Sequence, residues 1–218
     1  QTEFDKDGKY YNEARFLRAY YYFLIAQSFG DVPLRTSAVK TPEEVYCKAT
    51  PQFEVLTWAE AEMEACLELA DEDVAVQPSR VTKTTMQGIL ARVNLFLAGA
   101  SVQGGDKTKF LTNARDFANE VIISTKHDLN PDYSQVFINM FQNKYDTEYH
   151  ESMWEVEFYG DRSSAEFWSN GRIGDLLGLQ SGGSTSTEFD KFKCNFAHGQ
   201  YNGSLRLWDL YWKTDRTD

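Results

Sequence analysis

Residues Glu13 to Thr36 read EARFLRAYYYFLIAQSFGDVPLRT, an apolar run at helical spacing that ends in a breaker. Phe16, Leu17, Tyr20, Phe23 and Leu24 form one stripe, and Ala19, Tyr22, Ala26 and Phe29 form a second beside it. This spacing predicts a helix from about Tyr10 to Phe29 that is buried on most sides. Gly30 suits the left-handed turn that closes a helix, and Val32 is pushed toward extended geometry by the proline after it. The chain should therefore leave the helix through Gly30 to Pro33.

Outward from that stretch, three more long helices are expected. A short helix comes first, with Thr41 as N-cap, Pro42 in the first turn and Glu44 completing a capping box. The second long helix starts at Thr50 and Pro51 and runs to about Ala70. The third carries Met86, Ile89, Leu90, Val93 and Leu97 on one face, and the fourth carries Leu111, Ala114, Phe117, Ala118, Val121 and Ile122. The Gly-rich joint SVQGGDK, Ser101 to Lys107, makes the third and fourth antiparallel neighbours. Small residues at the expected crossings (Ala14, Ala19, Gly88, Ala91, Ala98, Ala114) suggest a tetratricopeptide-like stack of antiparallel helix pairs. The comparable runs opening at Ala14-Arg15 and Ala91-Arg92 are not spaced by a multiple of the ~34-residue repeat, so a generic bundle also fits.

After Thr125 the character changes. His127 to Val136 is turn-prone, and Met153 to Phe158 alternates Trp154, Val156 and Phe158 with Glu155 and Glu157, the pattern of a half-buried strand. Asp161 to Ser204 is rich in Gly, Ser, Asn and aromatic residues and reads as ordered loops, with a helix resuming near Ser204 to Lys213. The fold class expected is mainly α, with a loop-rich, partly β second half. Residues 9–126 would form the helical scaffold and 127–218 the strand- and loop-rich part that faces a ligand, within one domain.

The 218 residues suffice for an ordinary core without staples, and the net charge of −11 opposes a nucleic-acid partner. The leading QTEFDKDGKYYN has neither the positive nor the apolar part of a signal peptide, and no window reaches the ~18 apolar residues of a membrane span. Cys47, Cys66 and Cys194 are an odd set without a CxxC pair, which speaks against a disulfide framework and a zinc site. Cys66 falls on the apolar face of the second helix with Leu56, Ala59, Met63, Leu67 and Ala70, as a small hydrophobe.

No motif points to catalysis. Glu60, Glu64 and Glu68 read as the solvated stripe of the second helix, and Glu155 and Glu157 as the outward side of the strand, rather than as acid/base pairs. His127, His150 and His198 lack metal-ligand spacing, and Asp5, Asp7 and Gly8 open like a calcium loop but lack its later ligands. Gly171, Gly174 and Gly178 do not make GxGxxG, and neither GxSxG nor a P-loop is present. No cofactor or metal is implied. What remains is binding by loops, through exposed aromatic rings and planar polar groups. Tyr159, Trp168, Asn170, Arg172, Tyr201 and Asn202 supply both types. Trp58, Trp154, Trp208 and Trp212 sit within helix or strand periods and read as packing residues.

The FGDVPL ending of the first helix resembles the diagnostic segment of the SusD/RagB family, the glycan-capturing outer-membrane lipoproteins of Bacteroidetes-type bacteria. RVTKTTMQGILARVNLFLA, Arg80 to Ala98, is similar to that family's basic helix entry followed by LARVYLYL-like text. Two weaker matches are ESMWEVEFY at Glu151 to Tyr159 and the terminal LRLWDLYWKTDR, where members read like LYDLY followed by DPR; Thr214 to Arg216 here lacks the proline. Ser101 to Asn113 and Asp161 to Ser204 carry no such match. Members are longer, so the chain resembles an internal portion of one. The resemblance implies a non-catalytic, surface-exposed outer-membrane lipoprotein that binds oligosaccharide or polysaccharide and partners a SusC-like TonB-dependent transporter. Contact with the membrane would be only through a lipid anchor outside this chain. It transfers no ligand residue, because the family's binding loops vary. Two competing readings stand beside it: a helical-repeat scaffold for a protein partner and a helical glycoside hydrolase.

Overall fold

The structure, a computed structural model, describes residues 8–72, 78–142, 144–157, 176 and 199–213. The chain divides into two compact units, Gln1–Val156 and Glu157–Asp218. The first unit holds helix α1 (Lys9–Phe29), the short strands β1 (Val32–Pro33) and β2 (Ala49–Thr50), and helices α2 (Gln52–Ala65), α3 (Lys83–Ala98), α4 (Lys107–Ser124) and α5 (Tyr133–Phe141). Single 3-10 turns lie at Pro42–Val45 and Cys66–Leu69. In the second unit the described helix is α6 (Leu205–Lys213). The mainly helical class is as expected, and so are the four long helices.

Side-chain contacts fix the directions of the helices. Asn12 Nδ2 donates to the Cys66 carbonyl (2.8 Å), Arg15 holds Glu62 through two 2.8 Å hydrogen bonds, and Gln52 Nε2 donates to the Ala26 carbonyl (2.8 Å). The start of α1 thus meets the end of α2 and the reverse, so the pair is antiparallel. Lys107 Nζ donates to the Leu97 (2.8 Å) and Val102 (2.7 Å) carbonyls at one end of α3, while His127 just past α4 meets Thr84 at the other. That makes α3 and α4 a second antiparallel pair. The Lys107 ammonium also serves as the C-terminal cap of α3, where carbonyls lack helical partners.

The segment after α1 behaves as a joint built from specific atoms. Gly30 has φ 76 and ψ −123, and its N–H closes on the Ala26 carbonyl at 3.0 Å. A Cβ there would touch nothing within 4 Å, so the need for glycine is backbone conformation alone. Asp31 Oδ1 accepts the Gln52 N–H at 2.8 Å and so caps α2, whose preceding residue Pro51 offers no side-chain cap. Val32 and Pro33 pair antiparallel with Thr50 and Ala49. Tyr22 Oη donates to the Arg35 carbonyl and accepts the Arg35 N–H, fastening the exit to α1.

The core draws Phe16, Ala19, Phe23 and Ala26 from α1, Val55, Leu56, Ala59 and Met63 from α2, and Met86, Leu90, Val93 and Leu97 from α3. Cys66 is buried among them, its Sγ donating to the Glu62 carbonyl at 3.2 Å, and burial pushes its thiol pKa up. Although the spacing predicts α1 to be buried on most sides, Tyr21, Ile25 and Phe29 are exposed. The core contacts of α1 with α2 and α3 use its Phe16, Ala19, Phe23 and Ala26 stripe, and the opposite side is left to solvent.

Other expectations need correction. Inward on α4 are Phe110, Ala114, Phe117 and Val121, while Leu111, Ala118 and Ile122 face solvent. The apolar stripe is wider than the contact, since α4 packs from one side against α3 and the ring of Phe53. At the 3-10 turn, Thr41 makes no side-chain cap, and Glu44 reaches the Lys40 N–H (2.8 Å), so the box lacks its reciprocal half. Residues 153–157 form no strand: Thr85 Oγ1 holds the Met153 carbonyl (2.9 Å), the Glu155 N–H goes to Pro78, and Val156 is exposed. Glu60 is not on an open stripe. It is half-buried beside Asn94 of α3 and Asn113 of α4; burial raises its pKa, with Glu64 adding to the rise and Asn94, Lys109 and Asn113 opposing it.

Gly30→Ala and Asp31→Ala should each lower unfolding free energy by about 1 kcal/mol or more, with Asp31→Asn retaining most of the cap. Denaturant titration of the three variants checks this, and an Asp31→Ala midpoint equal to the parent would show the cap to be idle. For Glu60 the expected effect is on pH dependence. Its folded pKa lies above the ordinary value, so ionisation costs stability at neutral pH, and that cost disappears as pH falls through the raised value to the unfolded one. Glu60→Gln should therefore raise the thermal midpoint at pH 7 and leave it unchanged at about pH 4.

Candidate functional site

Four of the residues that the sequence nominates for ligand contact, Tyr159, Trp168, Asn170 and Arg172, lie outside the described residues, as does Cys194. Tyr201 and Asn202 are described and exposed, on the irregular run that leads into α6. The Tyr201 N–H donates to the Leu176 carbonyl at 3.2 Å, and Ser204 Oγ caps the helix by accepting the Leu207 N–H at 3.2 Å. One turn into α6, Trp208 is 61% exposed, against 64% for Tyr201. Trp208, read from its helical period as a packing residue, is thus more than half exposed. Trp58 and Trp154 do pack, Trp58 edge-on to Tyr22 (5.3 Å) and Trp154 edge-on to Tyr20 (5.5 Å).

Within the first unit, a second polar surface is built where the run after α4 meets the run after α5. His127 joins them: Nε2 shares a hydrogen bond with Thr84 Oγ1 (2.8 Å), and Nδ1 one with the His150 carbonyl (2.6 Å). The Asp128 N–H donates to the Tyr149 carbonyl (2.8 Å), and the Asn130 N–H to Glu151 Oε2 (2.7 Å). His150 itself has φ 48, a left-handed conformation uncommon for a residue with a side chain, and it turns the chain between these bonds. Trp154 Nε1 donates to the Ser79 carbonyl (3.3 Å), tying the far end of the run to the entry of α3.

Between this run and α5 lies a cleft of about 40 Å³. Asp146, Glu151 and Glu155 line it with Asn139, Lys144 and His150, over apolar walls from Pro78, Val136 and Met140. Burial works against ionisation of Asp146, but the N–H groups of Tyr149 and Glu148, the Asn130 side chain and nearby His150 outweigh it and hold its carboxyl below the usual range. The chemistry on offer is hydrogen bonding to hydroxyl or amine groups. Among the described residues no group of three His, Cys, Asp or Glu is arranged for a metal ion, and no helix is long and apolar enough to cross a membrane. Sequence reading missed this cleft, though the polar and aromatic run Tyr145 to Ser152 was its one visible sign.

Comparison with known proteins adds independent findings. Residues 1–95 match the SusD-like family model described as starch-binding, associating with outer membrane. No curated protein matches the chain. Among solved structures, it is similar to a SusD homolog from Bacteroides thetaiotaomicron, at 26% identity and TM-score 0.66, over 82% of this chain and 34% of that one. It is also similar to a structure solved with a xylogluco-oligosaccharide (24%, TM-score 0.62, 82% of this chain and 34% of that one). A laminarin-binding SusD-like protein shares the fold at 19% identity and TM-score 0.64, over 81% and 38% of the two chains. This chain spans about a third of the length of each.

His127→Ala should loosen the cleft: hydrogen-exchange protection of the Asp128 amide falls, and stability drops by about 1–2 kcal/mol. Unchanged protection would mean that the two runs hold together without the imidazole bridge.

Proposed function

We propose that the chain belongs to the SusD/RagB family, with a SusD-like family model matching residues 1–95, and that it binds oligosaccharide without cleaving it, at the outer surface of an outer membrane. The glycan would then pass to a SusC-like TonB-dependent barrel transporter. The observation that carries this reading is the shared helical frame, which at 26% identity extends over 82% of the chain to a SusD homolog. The names of two further neighbours, one solved with a xylogluco-oligosaccharide and one laminarin-binding, support glycan as the ligand class.

In this proposal residues 9–126 serve as scaffold and 127–218 face the ligand, with Tyr159, Trp168, Asn170, Arg172, Tyr201 and Asn202 as contacts chosen for their chemistry. Ring stacking and a few charge-assisted hydrogen bonds at an open site give affinities of roughly micromolar to millimolar. The protein-scaffold alternative needs a polar concave groove, yet the faces that α1, α2 and α3 turn toward one another are closed by aliphatic and aromatic side chains.

Affinity electrophoresis of the full-length protein on a panel of neutral polysaccharides, followed by chromatography of the recovered ligand, tests the reading. Retardation with intact glycan is expected, and Trp168→Ala should reduce it. Shortened glycan would point to a hydrolase, and absence of retardation on every glycan would favour the scaffold alternative.

A further inference from the structure

We propose that the cleft between α5 and residues 144–155 is a subsite that takes one exocyclic hydroxyl or hydroxymethyl group of a neutral sugar and rejects a sugar bearing a carboxylate at that position. The inference rests on the glycan-binding reading and adds to it a place and a substrate class. Size sets the first half. A cleft of about 40 Å³ is well below the ~150 Å³ that encloses a six-membered ring, so a pyranose stays outside and only a substituent enters.

Charge sets the second half. Asp146, Glu151 and Glu155 stand in the lining against the one ammonium of Lys144, with His150 the other basic group. A hydroxyl can donate to a carboxylate and accept from Lys144 or from the Asn139 amide, so a neutral sugar edge is satisfied in both directions. An incoming carboxylate can only accept. It would meet three like charges in a partly dry recess, where repulsion is stronger than in water. The frame is also fixed in advance, because the Asn130 N–H bond to Glu151 and the two N–H bonds to Asp146 already orient those carboxylates.

The test uses pairs of probes that differ only in whether C6 is a hydroxymethyl group or a carboxylate: laminarihexaose and maltohexaose, each beside its form oxidised at C6 of the non-reducing terminal sugar. Binding is measured by calorimetry to the full-length protein and to Glu151→Gln/Glu155→Gln. The double variant keeps the shape of the lining, and the amide carbonyl that replaces the Glu151 carboxylate can still accept the Asn130 N–H; its thermal midpoint confirms folding. The parent should bind a neutral member at least about tenfold more tightly than its oxidised partner, and the double variant should narrow that preference to about threefold or less. Equal binding of both forms by the parent, or a preference untouched in the variant, overturns the subsite and leaves the glycan-binding reading intact. Failure of the parent to bind any probe in the panel overturns both.

Discussion

The closure of α1 onto the start of α2 is the constraint on which the first unit depends. A helix ending leaves carbonyls unpaired, and a helix beginning leaves N–H groups unpaired; the two ends meet between Ala26 to Asp31 and Gln52. Gly30 takes a backbone conformation that other residues resist, which turns Asp31 to face α2. Asp31 then supplies the acceptor that Pro51 cannot, and Gln52 returns a donor to the Ala26 carbonyl. Each contact is worth about a kilocalorie per mole, but each also requires the others. Because the two helix axes are set here, Phe16 and Phe23 are carried onto Met63, Leu56 and the α3 stripe rather than into water.

From that frame to the cleft the connection is continuous and polar. Thr82 caps α3, its hydroxyl in contact with those of Thr84 and Thr85. Thr84 holds His127, which holds the His150 carbonyl, while Thr85 holds the Met153 carbonyl. Three threonines at the head of one helix thus position a surface run that lies far later in the chain. Gly88 belongs to the same arrangement, since a Cβ there would stand 3.3 Å from Met153 Cε. The loops that line the cleft are therefore held by the scaffold as well as by one another.

The helical frame was legible in the sequence because its signals are local. Periodicity located α1 to α4, and Gly30, Pro33 and Gly104-Gly105 marked the joints. Contact partners were less so, because periodicity gives a face without saying what covers it. Leu111 and Trp208 fit apolar stripes and yet are exposed, whereas Glu60 fits a charged stripe and yet is half-buried between α3 and α4. Met153 to Glu157 alternates as a strand would, but its partners are a turn at Pro78-Ser79 and a threonine, so no ladder forms. The cleft was invisible for a related reason: Pro78, Asn139, Asp146 and Glu155 have no common spacing and meet only once the His127 bridge has joined the two runs.

A small recess beside an open surface has a thermodynamic consequence for the proposed capture role. An enclosing pocket would gain affinity by desolvating a whole ring and would slow its departure, since affinity differences fall mostly on the dissociation rate. A recess that admits one substituent supplies discrimination instead: it contributes little area, but a carboxylate inside it meets three carboxylates against one ammonium. Exposed rings can supply the area without enclosing the ligand, because stacking uses only one face of a sugar. In the proposed capture role, discrimination and retention would then fall to different groups, so that glycan preference could change at the recess without a change in the stacking that retains the ligand.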